Sequence, residues 1–133
     1  MAGGGLRKAP VWVWWIPLTW LISLPWRGFT LEPQWTRVHW IPFTDPADRP
    51  RDFALNVLFF MPFGYSFARR RSWLLAPAVA AAVSLTAEAT QLFGSVRYPS
   101  ATDVTAAVIG AALGAILFRS MQPFRDIRSS NSP

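Results

Sequence analysis

Cysteine is absent from the 133 residues, which excludes disulfides, thiolate nucleophiles and cysteine-ligated metals. Histidine occurs once, at His39, so the chain alone cannot build a histidine-rich metal site. Acidic residues number seven against thirteen lysines and arginines, for a net charge of +6. A basic balance can mark nucleic-acid binding, but these arginines flank apolar runs and do not cluster on one polar face. That is the placement found at cytoplasmic membrane flanks. Nucleophile elbow, phosphate loop and metal-ligand spacing are also missing. The reading therefore includes no nucleic acid, no metal and no cofactor.

What the chain has is apolar length. Hydrophobic residues make up 52% of it, and charges gather between uncharged runs that read as membrane spans over 9–26, 53–68, 72–94 and 104–118. The fold class expected is an all-α membrane protein, a bundle of about four transmembrane helices with one longer outer loop between the first and second. Residues 1–8 form a cytoplasmic head, 9–118 the membrane domain, and 119–133 a basic, serine-rich cytoplasmic tail that frays. Leu24-Pro25-Trp26-Arg27 offers no small-residue cleavage site, so the first span is retained and not removed as a signal peptide. Pro17 kinks it, and its tryptophans favour the membrane interface. Between the first two spans, Trp40-Ile-Pro-Phe43 lies on the headgroup layer or tucks back over the spans. His39 reads as a surface residue, since no partner is fixed beside it.

The head, the Arg69-Arg70-Arg71 triplet and the tail hold eight of the basic residues and the other two connections five. That bias puts both termini in the cytoplasm of a plasma (inner) membrane protein. On this topology Asn56, Glu88, Gln91, Arg97 and Asp103 all approach the outer leaflet. Asn56 lies about 6 Å inside its boundary and Glu88 about 9 Å, so their depths nearly match. Ser84, Glu88 and Gln91 share an arc of roughly 60° on one helical face. Polar side chains in apolar runs cost several kcal/mol unless they face protein or water, which makes these five candidate ligand-binding residues. Gly110 and Gly114 form a small-xxx-small pair on the face of Asp103 and, with Pro62 and Gly64, are candidates for helix packing.

The pieces Asn56-Val-Leu-Phe-Phe-Met-Pro-Phe-Gly64, Glu88-Ala-Thr-Gln91, Arg97 with Asp103 six residues on, and Gly110 to Gly114 resemble, in order and spacing, the VanZ-like family of small bacterial membrane proteins. Ile41-Pro42-Phe43 is similar to that family's short motif ahead of the span. The resemblance covers about residues 41 to 118. The chain departs from the pattern at Ser100, where the family usually has an acid, and at Ala107, where it has an asparagine. The resemblance implies a bundle of about four helices, linked through the family's founding member to resistance against the glycopeptide teicoplanin. It brings no biochemical activity with it.

Three functions remain open on the residues. The first is a polar pocket near the outer leaflet, with Glu88 as central acid, Arg97 as its counter-ion or an anion binder, and Asn56, Gln91 and Asp103 completing the shell. A lipid headgroup or an amphipathic drug such as a glycopeptide would suit it. The second is a membrane enzyme acting on lipid-linked cell-envelope precursors, with Glu88 and Asp103 as acid and base, or His39 as base. The third is a structural or partner subunit in which the polar residues are inter-helix glue, each bond worth about 0.6 kcal/mol on average and at most about 1.7. In it the glycine face joins copies into a homo-oligomer. The lipid bilayer is a partner in all three.

Overall fold

The computed structural model describes residues 9–46 and 48–130, with side chains as far as Gln122. The head at 1–8 and the last three residues lie outside the described part. Four α-helices make up the fold: α1 Val11–Ser23, α2 Pro50–Ala68, α3 Ala76–Gln91 and α4 Ala101–Ser130. No strand forms among the described residues, only two isolated bridges, Phe29 with Gly94 and His39 with Ser100.

Local chemistry explains where each helix differs from its expected span. α1 stops at Ser23, not Trp26, because Pro25 forces Leu24 into an extended conformation, ψ 139°. α2 starts at Pro50, ahead of Phe53, since proline suits the first helical position, and Asp52 faces the positive end of the helix dipole. α3 is preceded by a 3-10 turn at Trp73–Leu75 and ends at Gln91, short of Gly94. α4 begins at Ala101, before Val104, and runs past Phe118 to Ser130. The segment 119–130, expected to fray, is therefore helical, because a change from apolar to charged residues ends a membrane span without ending a helix.

Two stretches, Trp73–Gln91 and Ala101–Gln122, are long and apolar enough to cross a membrane. α1 is apolar but only 13 residues long. α2 has 19 residues, yet Arg51, Asp52 and Asn56 dilute its apolar run.

The closest packing is between α2 and α4, and small residues make it so. A Cβ on Gly110 would overlap the Val57 carbonyl, one on Gly114 the Met61 carbonyl, and one on Gly64 the Ala111 carbonyl. The two backbones thus lie against each other without intervening side chains, which is how helices associate where water supplies no driving force. Pro62, expected at this contact, is exposed. Along the same seam Phe60, Phe63 and Phe67 pack in series, the first pair edge-to-face and the second tilted, with centroids 6.0 and 5.8 Å apart. Ala107, Ala111 and Ala115 of α4 and Ala76 and Ala80 of α3 complete this core. α1 leans on it through Trp12, whose ring meets Phe67 at 5.0 Å, and through Trp15, whose Nε1 donates to the Phe59 carbonyl at 2.9 Å.

At the other end of the bundle the connection 24–49 folds over the connection 92–100. Thr30 and Gln34 donate backbone N–H groups to the carbonyls of Phe93 and Leu92, both at 2.8 Å. His39 donates to Pro99 and accepts from Ala101, both at 2.9 Å. Arg37 adds a guanidinium over the Tyr98 ring, 3.7 Å from its centroid, and donates to the Tyr98 hydroxyl. The loop 24–49 is a fitted cover over the start of α4.

Candidate functional site

Beneath that cover the start of α2, the end of α3 and the start of α4 meet, and each delivers a polar side chain. Asn56, in the second turn of α2, donates from Nδ2 to Oδ1 of Asp103 at 2.6 Å. Gln91, at the last turn of α3, donates from Nε2 to Oε1 of Glu88 at 3.2 Å. The other oxygen of Glu88 accepts the backbone N–H of Ser100 at 3.0 Å. Glu88 is 7% exposed and Gln91 1%. Their partners come from the protein, not from solvent, as buried polar groups require.

Ser100 explains why the two acids are arranged this way. Ser100-Ala-Thr-Asp103 carries the spacing of a capping box, in which the serine caps the helix and the acid three residues on reaches back to the serine N–H. Here Ser100 caps, its Oγ accepting the N–H of Thr102 at 3.1 Å, but its own N–H is taken by Glu88 from α3. Asp103 is released from the box to meet Asn56. A helix start in one element and a buried carboxylate in another are thus tied by one backbone hydrogen bond.

Asp48, a residue the sequence reading passes over, approaches the same turn from the loop 24–49. Its Oδ2 accepts the Thr102 hydroxyl at 2.5 Å and its Oδ1 the Ser100 hydroxyl at 3.4 Å. The position where the family usually has an acid is a serine in this chain, and a carboxylate from the loop sits against it. Thr102 Oγ1 also accepts the N–H of Phe43 at 3.0 Å. That bond helps hold Phe43 at φ +62°, a conformation that side chains other than glycine rarely adopt. The sequence signal for Asp48 is weak, since loop residues without periodicity leave their partners open. The capping-box spacing at Ser100 is a readable signal for the start of α4.

Arg97 is exposed and donates to the Ile22 carbonyl at 3.4 Å. Among the described residues it makes no ion pair within 4 Å of Glu88 or Asp103, so the expected counter-ion role is not met by direct contact. It does stand near enough to act electrostatically on both. His39 is half-buried and its Nδ1 pairs with Asp45, six residues along the same loop. The sequence reading, which placed His39 at the surface, did not supply this partner.

Two cavities open among these groups. The larger, about 560 Å³, is lined by the outer loop, the start of α2 and the connection 92–100, with Asp48, Gln91 and Tyr98 in its wall. The smaller, about 290 Å³, lies between the helices, with Ile22, Phe59, Phe60 and Ala87 in its wall beside Glu88. Leu55, Asn56, Arg97 and Asp103 line both. A polar chamber and a mostly apolar one therefore meet at a carboxylate, an amide and a guanidinium. Among the described residues no group of three or more His, Cys, Asp or Glu is placed to hold a metal ion.

A model of the VanZ/LLP1 family matches residues 11–122. The match is wider than the stretch carrying the motifs and takes in α1 and the outer loop. No curated protein and no solved structure matches the chain.

Proposed function

The chain belongs to the VanZ/LLP1 family, and on that footing we propose that its two chambers bind one amphipathic molecule, headgroup in the polar chamber and tail between the helices. A membrane lipid is one such ligand. A glycopeptide antibiotic is another, and its capture at the cell envelope would contribute to resistance. The observation that carries this reading is the shared wall of Leu55, Asn56, Arg97 and Asp103, which sets a polar and an apolar cavity side by side. The two volumes, about 560 and 290 Å³, suit a lipid headgroup with part of its chain, or the corresponding part of a larger amphiphile such as a glycopeptide.

The proposal includes a multi-pass protein of the bacterial inner membrane with both ends in the cytoplasm. α3 together with the 3-10 turn before it, Trp73–Gln91, and the Ala101–Gln122 part of α4 have the length and apolarity of spans. α1 supports a place beside them by exposing Val11, Trp14, Leu21 and Ile22 at 52 to 64%, an apolar surface that lipid would cover. A helix of 13 residues crosses with local thinning of the bilayer. In this orientation the cleft faces the outer leaflet.

Inter-helix glue accounts for the bond between Asn56 and Asp103. It accounts less well for Glu88, because a buried ionisable group making a bond that an amide could make is unfavourable. The test is to fill the junction. Leu55 is 52% exposed, so Leu55→Trp should fold, and it should lower the occupancy of co-purifying amphiphiles by about tenfold, as a lost 1.4 kcal/mol would. Mass spectrometry of the purified protein reads this. Unchanged occupancy would sink the two-chamber reading.

A further inference from the structure

The acidic residues of this basic chain are concentrated in one place. Of the seven, Asp45, Asp48, Asp52 and Asp103 line the polar chamber, and Glu88 joins Asp103 on the apolar one. Arg49 and Arg97 are the arginines on those walls. Five acids face two arginines and His39, the reverse of a net charge of +6.

A separate observation concerns what holds the inner carboxylates. Glu88 takes an amide and a backbone N–H, Asp103 an amide, and Asp48 two hydroxyls. Among the described residues none of the three has a lysine or arginine nitrogen within 4 Å. Neutral donors satisfy lone pairs and leave the charge uncompensated. For Glu88, more than nine-tenths buried and in the chamber wall, an unpaired charge is costly. Asp103 stands near enough to repel it. Arg97 acts on both, but it is exposed and single.

We propose that the headgroup this site accepts is an ammonium, with Asp48, Asp103 and Glu88 as its counter-charges. The inference rests on the reading of the two chambers as one amphiphile site and names the chemical class of its ligand. An ammonium carries three donors and no acceptor, and an ionised carboxylate offers about four lone-pair positions. Asp103 commits one such position to Asn56 and Glu88 two to Gln91 and Ser100. The wall is rich in acceptors, and a donor-only group complements it. A phosphate or carboxylate arriving alone meets repulsion from most of the charges around it. Two sources share the chemistry: the amine of a zwitterionic phospholipid, and a cationic amphiphile without phosphate.

Purified protein in a nonionic detergent is titrated with dodecylammonium, N-dodecylacetamide and dodecyl phosphate, and with a lysophosphatidylethanolamine and its N-acetylated form. Tryptophan fluorescence reads binding. Dodecylammonium is expected to bind about tenfold more tightly than the acetamide, the size of one charge-assisted hydrogen bond. A matching preference for the free-amine lysolipid over its N-acetylated form assigns the zwitterionic source. A preference confined to dodecylammonium assigns the phosphate-free one. Glu88→Gln and Asp48→Asn should each bring the ammonium-to-acetamide ratio toward unity. Asp48 lies in the outer loop, so its variant carries the test if Glu88→Gln does not fold. Equal binding of the three dodecyl probes, tighter binding of the phosphate, or a ratio unchanged in the folded variants overturns the ammonium and leaves the amphiphile site standing. If no tail-bearing probe binds, the site itself is overturned.

Discussion

The two ends of the α2–α4 pair are built on opposite principles. At one end Gly64, Gly110 and Gly114 bring the backbones into contact, and Phe63, with 0% exposure, fills what remains. At the other, Asn56 and Asp103 meet through a hydrogen bond, and cavities open on both sides of them. The same helices are therefore fastened by shape along one stretch and joined by a polar pair at the other end. The close end fixes the helix positions, so the open end need not be well packed to stay in place. Stability and binding should then separate along the length of one helix pair.

That separation can be broken in order of effect. Phe63→Ala should be the most damaging, at about 3 to 5 kcal/mol, because it empties a site that rigid neighbours cannot close. Thermal unfolding in detergent would measure it. Gly114→Val should cost up to about 3 kcal/mol, since the added carbons meet the Met61 backbone and not a side chain that could swing away. Asn56→Leu should cost less, about 1.5 kcal/mol, the penalty for leaving Asp103 without its donor. Its larger effect should be on amphiphile affinity, read by the same fluorescence titration. An Asn56→Leu protein as unstable as Phe63→Ala would show that the polar end also carries the fold, and the contrast between the ends would fail.

The sequence makes some of this legible and hides the rest for physical reasons. Helical spacing puts Glu88 and Gln91 on one face, and the distance of Asn56 from the charged start of its apolar run sets its depth, so their arrival near Asp103 can be read from spacing and topology. The small-residue spacing of Gly110 and Gly114 announces close approach, but not which helix comes close; the structure seats α2 of the same chain there. Helix ends are misread where the end of an apolar run stands in for the end of a helix, as at Phe118. The contacts of Asp48 are obscured because they join an irregular loop to partners far along the chain, and the His39–Asp45 pair because no regular element fixes a spacing of six residues. Nothing periodic in residues 24–49 records that they bond to Leu92, Phe93, Pro99 and Ala101.

Those long-range bonds also bear on the order of assembly. Thr30, Gln34 and His39 leave the ribosome roughly sixty residues before the groups that receive them, and such distant contacts close late because loop entropy must be met first. Until residues 92–101 have followed it, the aromatic segment 24–49 lacks the backbone groups it lies against. The cleft is then the last part of the molecule to acquire its shape, and a nascent chain stalled before Ala101 would carry its acidic side chains without the wall that encloses them.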